Sequence, residues 1–528
     1  MKWSKCVLLF LFSSLILSLA FNLPQNLGFL CFFFLIPIFF YLEKTKEEGR
    51  IKKDFVLMGL FALLVTFCST YWFAGVYPLD WMGIHNNYFS FLLVFGLWGI
   101  LAVFLSLPIT FWIILARLNQ FTNIFNSAIF FAFSWSLLEY FRAWFMALGI
   151  YGKDLAFGPH HAYYSLTYLI TNIPYIKEVV PIGGMYLGSF TIVMVNFLVF
   201  SVIKFLLDFK NIDRKSARIV SPQILSLFIL IVATILFSNI YMNKLRQNEY
   251  GERTEFYLGR AQLPSTRSMS IHDMKTDQAV QKIREKITDE SSPNIYILPE
   301  SFDLYNKSAT DKNIFSKDIL VIGSYASGRE NMYYLDTKTG LAGIYNKKIL
   351  MPIGEYKIYY IDLFTKVFFR ETGSELPDLQ IGTTPSVLKY GELTFGSSVC
   401  AENISPILTR DSVLNGANVL VNVSSHAPFG VSGLLNRQTI AINTIRALET
   451  GRYLITAKNF GDSFVISDKG EQILKTDTTM KDLSLHKTYF FTKWYLTPYV
   501  IFGDYIVYLA IVFFGYYFFY IFKKRRMP

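Results

Sequence analysis

The 528-residue chain is poor in cysteine, histidine and charge, with four cysteines, six histidines and 17% charged residues. It has no internal repeat, no low-complexity linker and no glycine-rich phosphate loop. Solenoids and the common nucleotide-binding loops are therefore excluded. His160, His161 and the lone His426 lack the spacing of metal ligands, so no metal site is expected. Cys6, Cys31 and Cys68 lie in apolar runs, which leaves Cys400 alone in the long polar part of the chain. Cysteines of an oxidising compartment normally pair, so a disulfide within that part is excluded. Two readings of Cys400 stay open: a small buried apolar residue, or a nucleophile.

What the chain does have is apolar surface, with 52% hydrophobic and 17% aromatic residues. That is too much for an ordinary soluble protein of this length. The net charge of +11 would suit nucleic acid, but many of the charges sit at the ends of apolar runs, and no nucleic-acid partner is expected. A spanning helix needs about 20 mostly apolar residues. Eight approximate runs are taken as spans, the first two of them short: 6–20, 27–42, 55–77, 88–118, 124–146, 183–207, 223–241 and 499–522. The first, with Lys2 and Lys5 before it, has the start of a signal peptide, but no small-x-small cleavage site follows and it is read as a retained span. Lys44, Lys46, Arg50, Lys52 and Lys53 fill one loop, Lys210, Arg214, Lys215 and Arg218 another, and the tail ends in Lys523, Lys524, Arg525 and Arg526. The loops 21–26 and 78–87 have no Lys or Arg. With both termini inside, every basic loop falls on the cytoplasmic side. Three segments follow: a membrane domain at 1–241, an external domain at 242–497, and a last span with a basic tail at 498–528. Tyr71, Trp72, Trp81 and Trp144 read as an interfacial belt. Glu139 and Arg142 have the spacing to pair on one helix face, as a functional ion pair or as a helix-end lock.

The external segment alternates short β-type runs (294–299, 318–324, 392–399, 418–424, 453–459, 463–468) with helix-like stretches at 277–290 and 434–451. That pattern predicts a layered α/β domain with a buried sheet. Glu300, Lys347 and Cys400 each follow an apolar strand, where such sheets place their chemistry. A carboxylate to take a proton, a thiol to attack and an ammonium to stabilise an oxyanion are the parts of acyl transfer through a thioester. Spacing alone does not bring them together.

At these residues the chain resembles the nitrilase superfamily, whose catalytic set is Glu, Lys and Cys. Over nearly its full length it resembles the apolipoprotein N-acyltransferase family. "LPES" places Glu300 on the general base, and "YNKKILMPIGEY" places Lys347 on the catalytic lysine and Glu355 on a second active-site carboxylate. "VCAE" places Cys400 on the nucleophile and Glu402 on the acidic residue after it. "RALETGRYLITAKNFGDS", "TPYVIFGD", "WSLLEYFRAW" and "GGMYLGSFTIVMVN" match further family segments. The resemblance implies an eight-span bundle carrying a nitrilase-like αββα sandwich outside the cytoplasm of a bacterial inner membrane. It implies catalytic Glu300, Lys347 and Cys400, substrate-binding Glu355 and Glu402, and no cofactor. Its reaction moves an acyl chain from a phospholipid to the α-amino group of a diacylglyceryl-cysteine on a lipoprotein. The chain departs from the family pattern at Ala401, an aromatic position, and at His426 and Pro428. These departures bear on donor and acceptor preference. Three alternatives stand beside this reading: a membrane-tethered amidase of the nitrilase type, a diverged acyltransferase with another amine acceptor, and a transporter or receptor with an outer binding domain.

Overall fold

The computed structural model describes residues 2–23, 25–80, 84–121, 123–208, 214–247, 251–263, 269–287, 291–300, 302–305, 315–326, 328–352, 354–359, 379–430, 432–477 and 482–526. Trp81, expected in the interfacial belt, and Lys210 lie outside them.

The apolar runs form helices α1 (Trp3–Asn22), α2 (Ile36–Lys44), α3 (Ile51–Ser69), α4 (Asn87–Ala116), α5 (Ile124–Gly149), α6 (Val180–Asp208) and α7 (Arg214–Gln247). Six helical stretches among the described residues are long and apolar enough to cross a membrane. They are Trp3–Asn22, Leu27–Lys44, Asn87–Ala116, Ile124–Gly149, Ile176–Asp208 and Ile219–Gln247. Two expected spans look different. The run 55–77 is helical only to Ser69 and continues as a 3-10 turn, Tyr71–Val76. The run from 499 divides at Gly503 (φ 62°) into α11 (Pro498–Phe502) and α12 (Tyr505–Arg526). Helix α6 is itself broken at Gly183 and Gly184. Gly184 has φ 68°, and a Cβ there would lie 2.5 Å from the Tyr499 ring, so both conformation and space require glycine.

The described residues of the polar part form twelve strands. The first group is β1 (Arg253–Ala261), β2 (Ile295–Ile297), β3 (Leu320–Ala326), β4 (Glu330–Asp336), β5 (Gly340–Asn346) and β12 (Ser484–Phe491). The second is β6 (Val387–Tyr390), β7 (Leu393–Val399), β8 (Val419–Ser425), β9 (Leu454–Asn459), β10 (Phe464–Ile466) and β11 (Gln472–Lys475). The order runs β5-β4-β3-β2-β1-β9-β8-β7-β6, with β12 beside β1 and the β10–β11 hairpin beside β9. Strand parity builds the layers. Val419, Val421 and Val423 of β8 meet Phe256 and Leu258 of β1 and Ile297 of β2 in a core between the two groups. The alternate residues Tyr296 and Val321 pack under α8 (Met269–Lys286), and Leu420 and Leu454 pack under α9 (Pro406–Leu414) and α10 (Gly433–Thr450). The layering is helix–sheet–sheet–helix.

Helix α10 is apolar on two sides. Ile440 and Ala447 face the sheet, while Ala441, Ile445 and Leu448, at helical spacing, enter the core of the membrane-type bundle. Below it, Glu449 Oε1 accepts the Met185 N–H at 2.8 Å, just after the break in α6. The helix ends at Gly451, φ 64°. α10 thus holds the α/β domain on the bundle and places the ends of β7 and β8 over it.

Candidate active site

Strand β7 delivers Phe395 and Val399 to the inter-sheet core and ends at Val399, so that Cys400 opens the turn that follows. Cys400 has φ 55°, a left-handed conformation that costs a non-glycine residue about 1–3 kcal/mol and persists only where the surroundings enforce it. The enforcement is visible. Glu402, fully buried, accepts from Val399 N–H (2.7 Å), Lys348 N–H (2.6 Å), Ile349 N–H (3.0 Å) and the Tyr345 hydroxyl (2.9 Å). One carboxylate therefore ties the turn at Cys400 to the loop that carries Lys347. Asn422 Nδ2 donates to the Cys400 carbonyl at 3.1 Å and Ser398 Oγ donates to Asn403 Oδ1 at 2.7 Å. Asn403 in turn donates to Asn443 on α10.

Lys347 is the first residue after β5. Its N–H donates to the Glu330 carbonyl (2.9 Å) and its carbonyl accepts from Gly382 (2.7 Å). The side chain is fully buried, with Nζ 2.6 Å from Glu355 Oε1. Glu355 Oε2 accepts the Met351 N–H at 2.9 Å, which fixes the carboxylate. Its neighbour Lys348 is half-buried, with no side-chain ion pair among the described residues. Glu300, three residues past β2, faces the Cys400 thiol and the Ser425 N–H. Glu300 Oε2 is buried without a hydrogen-bond partner among the described residues. Cys400 Sγ is 4.0 Å from the Ser425 carbonyl.

The structure thus brings Glu300, Lys347, Cys400 and Glu355 into one cluster. Glu402 lies behind it and has its acceptor capacity occupied by the protein. Burial, opposed by Lys347 and aided by Glu355, raises the Glu300 carboxyl to about 7. Burial and the Glu300 charge, opposed by Lys347, push the Cys400 thiol up to about 12. For Lys347 burial acts downward, but Glu355, Cys400 and Glu300 outweigh it and hold the ammonium above its ordinary value. In the resting site the thiol is protonated, Glu300 titrates near neutrality and Lys347 is a permanent cation. Such a set can attack a carbonyl with proton transfer to Glu300 while Lys347 faces the developing oxyanion.

Two buried ionisable residues here were missed by sequence reasoning. Lys458 of β9 lies beside Ser424 of β8 and is fully buried. Its Nζ is 3.4 Å from Asn436 Oδ1 and 5.1 Å from the Phe464 ring centre. Burial, opposed by Asp462 and Cys400, brings it down to about 7. A lysine inside the apolar strand "YLITAKN" was the available signal. Glu330, at the start of β4, is held well above the carboxylate range by burial and by the charge of Glu300. Nothing in the local sequence marks it.

A cavity opens from Cys400 and Ser425 between α10 and the bundle, walled by Phe21, Tyr164, Leu169 and Ile442. Trp72 lines it too, and donates from Nε1 to Gln438 Oε1 at 3.1 Å, so its reading as interfacial belt is corrected: the turn after α3 folds back under α10. The expected pairing of Glu139 with Arg142 is also corrected. Glu139 accepts from Trp135 Nε1, Ser165 and Ser189 hydroxyls and Leu166 N–H, while Arg142 donates to the Tyr163 carbonyl. Both side chains fasten the 163–166 loop that forms one wall.

Residues 318–487 match the family described as carbon-nitrogen hydrolase. That match and the two-sheet layering define a member of the nitrilase, or carbon-nitrogen hydrolase, superfamily. Residues 13–198 match the apolipoprotein N-acyltransferase N-terminal domain. The chain is similar to apolipoprotein N-acyltransferases of Synechocystis (24% identity, 84% of this chain and 85% of that one) and Aquifex aeolicus (23%, 82% and 97%). Against the Borreliella burgdorferi protein the match is 26% identical and spans 35% of each chain. The chain belongs to the apolipoprotein N-acyltransferase family.

Proposed function

We propose that the protein transfers an acyl chain from a membrane phospholipid, through a thioester on Cys400, to the α-amino group of a lipoprotein's N-terminal diacylglyceryl-cysteine. The observation that carries this reading is the cavity. Cys400 lines it together with apolar residues of the bundle such as Phe21, Leu23 and Leu169. Drawing an acyl chain out into water would cost about 0.8 kcal/mol per CH₂, and a cavity continuous with the bundle avoids that cost.

In the first half-reaction Glu300 takes the thiol proton as sulfur attacks the phospholipid ester carbonyl. Lys347 Nζ stabilises the tetrahedral oxyanion. Its collapse breaks the C–O bond, and the proton held by Glu300 passes to the departing lysophospholipid oxygen. In the second, the acceptor amine loses a proton to Glu300 and attacks the thioester. Collapse forms the amide and returns the proton to sulfur. Glu355 holds Lys347 in place, and Glu402 fixes the turn on which Cys400 stands. The charge pattern of the loops supports eight spans in a bacterial inner membrane, with residues 242–497 in the periplasm.

The test is purified protein with labelled phospholipid and a diacylated lipopeptide. Label in the lipopeptide as an amide supports the reading. Label released only as free fatty acid points to the amidase-type alternative, with water as acceptor.

A further inference from the structure

The cavity at Cys400 has a single charged side chain in its lining among the described residues, Arg437 in the first turns of α10. No carboxylate of the described residues lines it, and His426, the one other titratable nitrogen among them, is kept neutral by burial and by the nearby Lys458. Arg437 forms no ion pair among the described residues. Its Nη2 donates to the Asn22 carbonyl at 2.7 Å, at the end of α1, which anchors the guanidinium at the bundle. Its Nε is buried and has no hydrogen-bond partner among the described residues. An unsatisfied charged donor inside a mostly apolar cavity is costly, unless a ligand brings the acceptor.

The walls define that ligand further. Phe21, Leu169, Leu435 and Ile442 suit an alkyl chain, so the ligand combines hydrocarbon with an anion. Of the two proposed substrates, the acyl donor carries a phosphodiester on the same glycerol as its reactive esters, and the diacylglyceryl group of the acceptor carries none. Arginine's planar fork suits phosphate oxygens. We propose that Arg437 binds the phosphate of the acyl donor and thereby selects glycerophospholipids in the first half-reaction. This rests on the phospholipid-to-Cys400 reading above.

The experiment measures the rate of acyl loading by intact mass on the full chain in detergent, with two donors: phosphatidylglycerol and the neutral ester p-nitrophenyl palmitate. Arg437→Gln is expected to slow loading from phosphatidylglycerol at least about tenfold, the scale of one charge-assisted contact. Loading from the neutral ester should change far less, and Arg437→Lys should recover part of the phospholipid rate. Equal loss with both donors would show a merely structural role and overturn the proposal, as would no loss with either. Inorganic phosphate should not inhibit. Inhibition by phosphate that Arg437→Gln abolishes would assign the site to a free anion and also overturn it. If the unsubstituted protein loads from the neutral ester and not from phospholipid, the donor reading itself fails, a result distinguishable from all of these.

Discussion

Lys347 and Glu355 form a buried ion pair, Nζ to Oε1 at 2.6 Å, and the same ammonium faces Glu300 and Cys400. Removing one partner of a buried pair leaves an uncompensated charge and costs about 3–5 kcal/mol. Glu355→Gln should therefore lower the Tm in detergent and abolish acyl transfer. Adding Lys347→Met should restore much of the Tm and none of the activity. A double variant no more stable than Glu355→Gln would contradict the pairing.

Lys347 and Lys348 are adjacent and chemically alike, but only Lys347 is fully buried. Lys347→Ala should destroy transfer to a diacylated lipopeptide, and Lys348→Ala should keep most of it. Lys347→Arg should also fail, since a planar guanidinium does not fit the point occupied by an ammonium. An inactive Lys348→Ala with a working Lys347→Ala would require redrawing the site.

The placement of Glu300, Lys347 and Cys400 after apolar strands was legible because each ends a strand of recognisable period. Six strands were visible as β-type runs, and β5 as the apolar stretch before Lys347. β1, β4, β6, β11 and β12 were not; β4, for example, reads Glu-Asn-Met-Tyr-Tyr-Leu-Asp, without clean alternation. The helix 434–451 was legible from its terminal glycine, but its two apolar faces follow from the bundle it touches. Trp72 was misread because an aromatic residue near a span end has the same sequence signature whether it meets lipid or folds under a neighbouring domain. Lys458 was marked only by its place in an apolar strand, and the surroundings of Lys458 and Glu330 depend on pairings between distant strands, which local pattern does not encode.

Acyl transfer should depend on pH through Glu300. Its carboxyl sits near 7, and only the ionised form accepts the thiol proton. The rate of Cys400 acylation, measured alone to exclude titration of the acceptor amine, should rise as pH increases through about 7 and fall below it. Glu300→Gln should flatten that limb at a very low rate. A limb that survives in Glu300→Gln would assign the titration to another group.

Glu402 accepts three backbone N–H groups and the Tyr345 hydroxyl. Glu402→Gln replaces an ionised acceptor with a neutral one that also carries two donors, with a loss of about 1.5–3 kcal/mol for each charged contact weakened. The expected result is a lower Tm together with slow alkylation and acylation of Cys400, as the turn at φ 55° relaxes. An active, equally stable Glu402→Gln would show that the turn is held by other means.

The central claim is that Cys400 carries the acyl chain. The most direct measurement is intact mass of the purified protein after incubation with phospholipid vesicles and no acceptor, followed by addition of a diacylated lipopeptide. The account predicts one acyl adduct on Cys400, absent in Cys400→Ala, labile to hydroxylamine and discharged when the lipopeptide is added. Acylation of the lipopeptide by Cys400→Ala, or an adduct that the lipopeptide leaves in place, would contradict it.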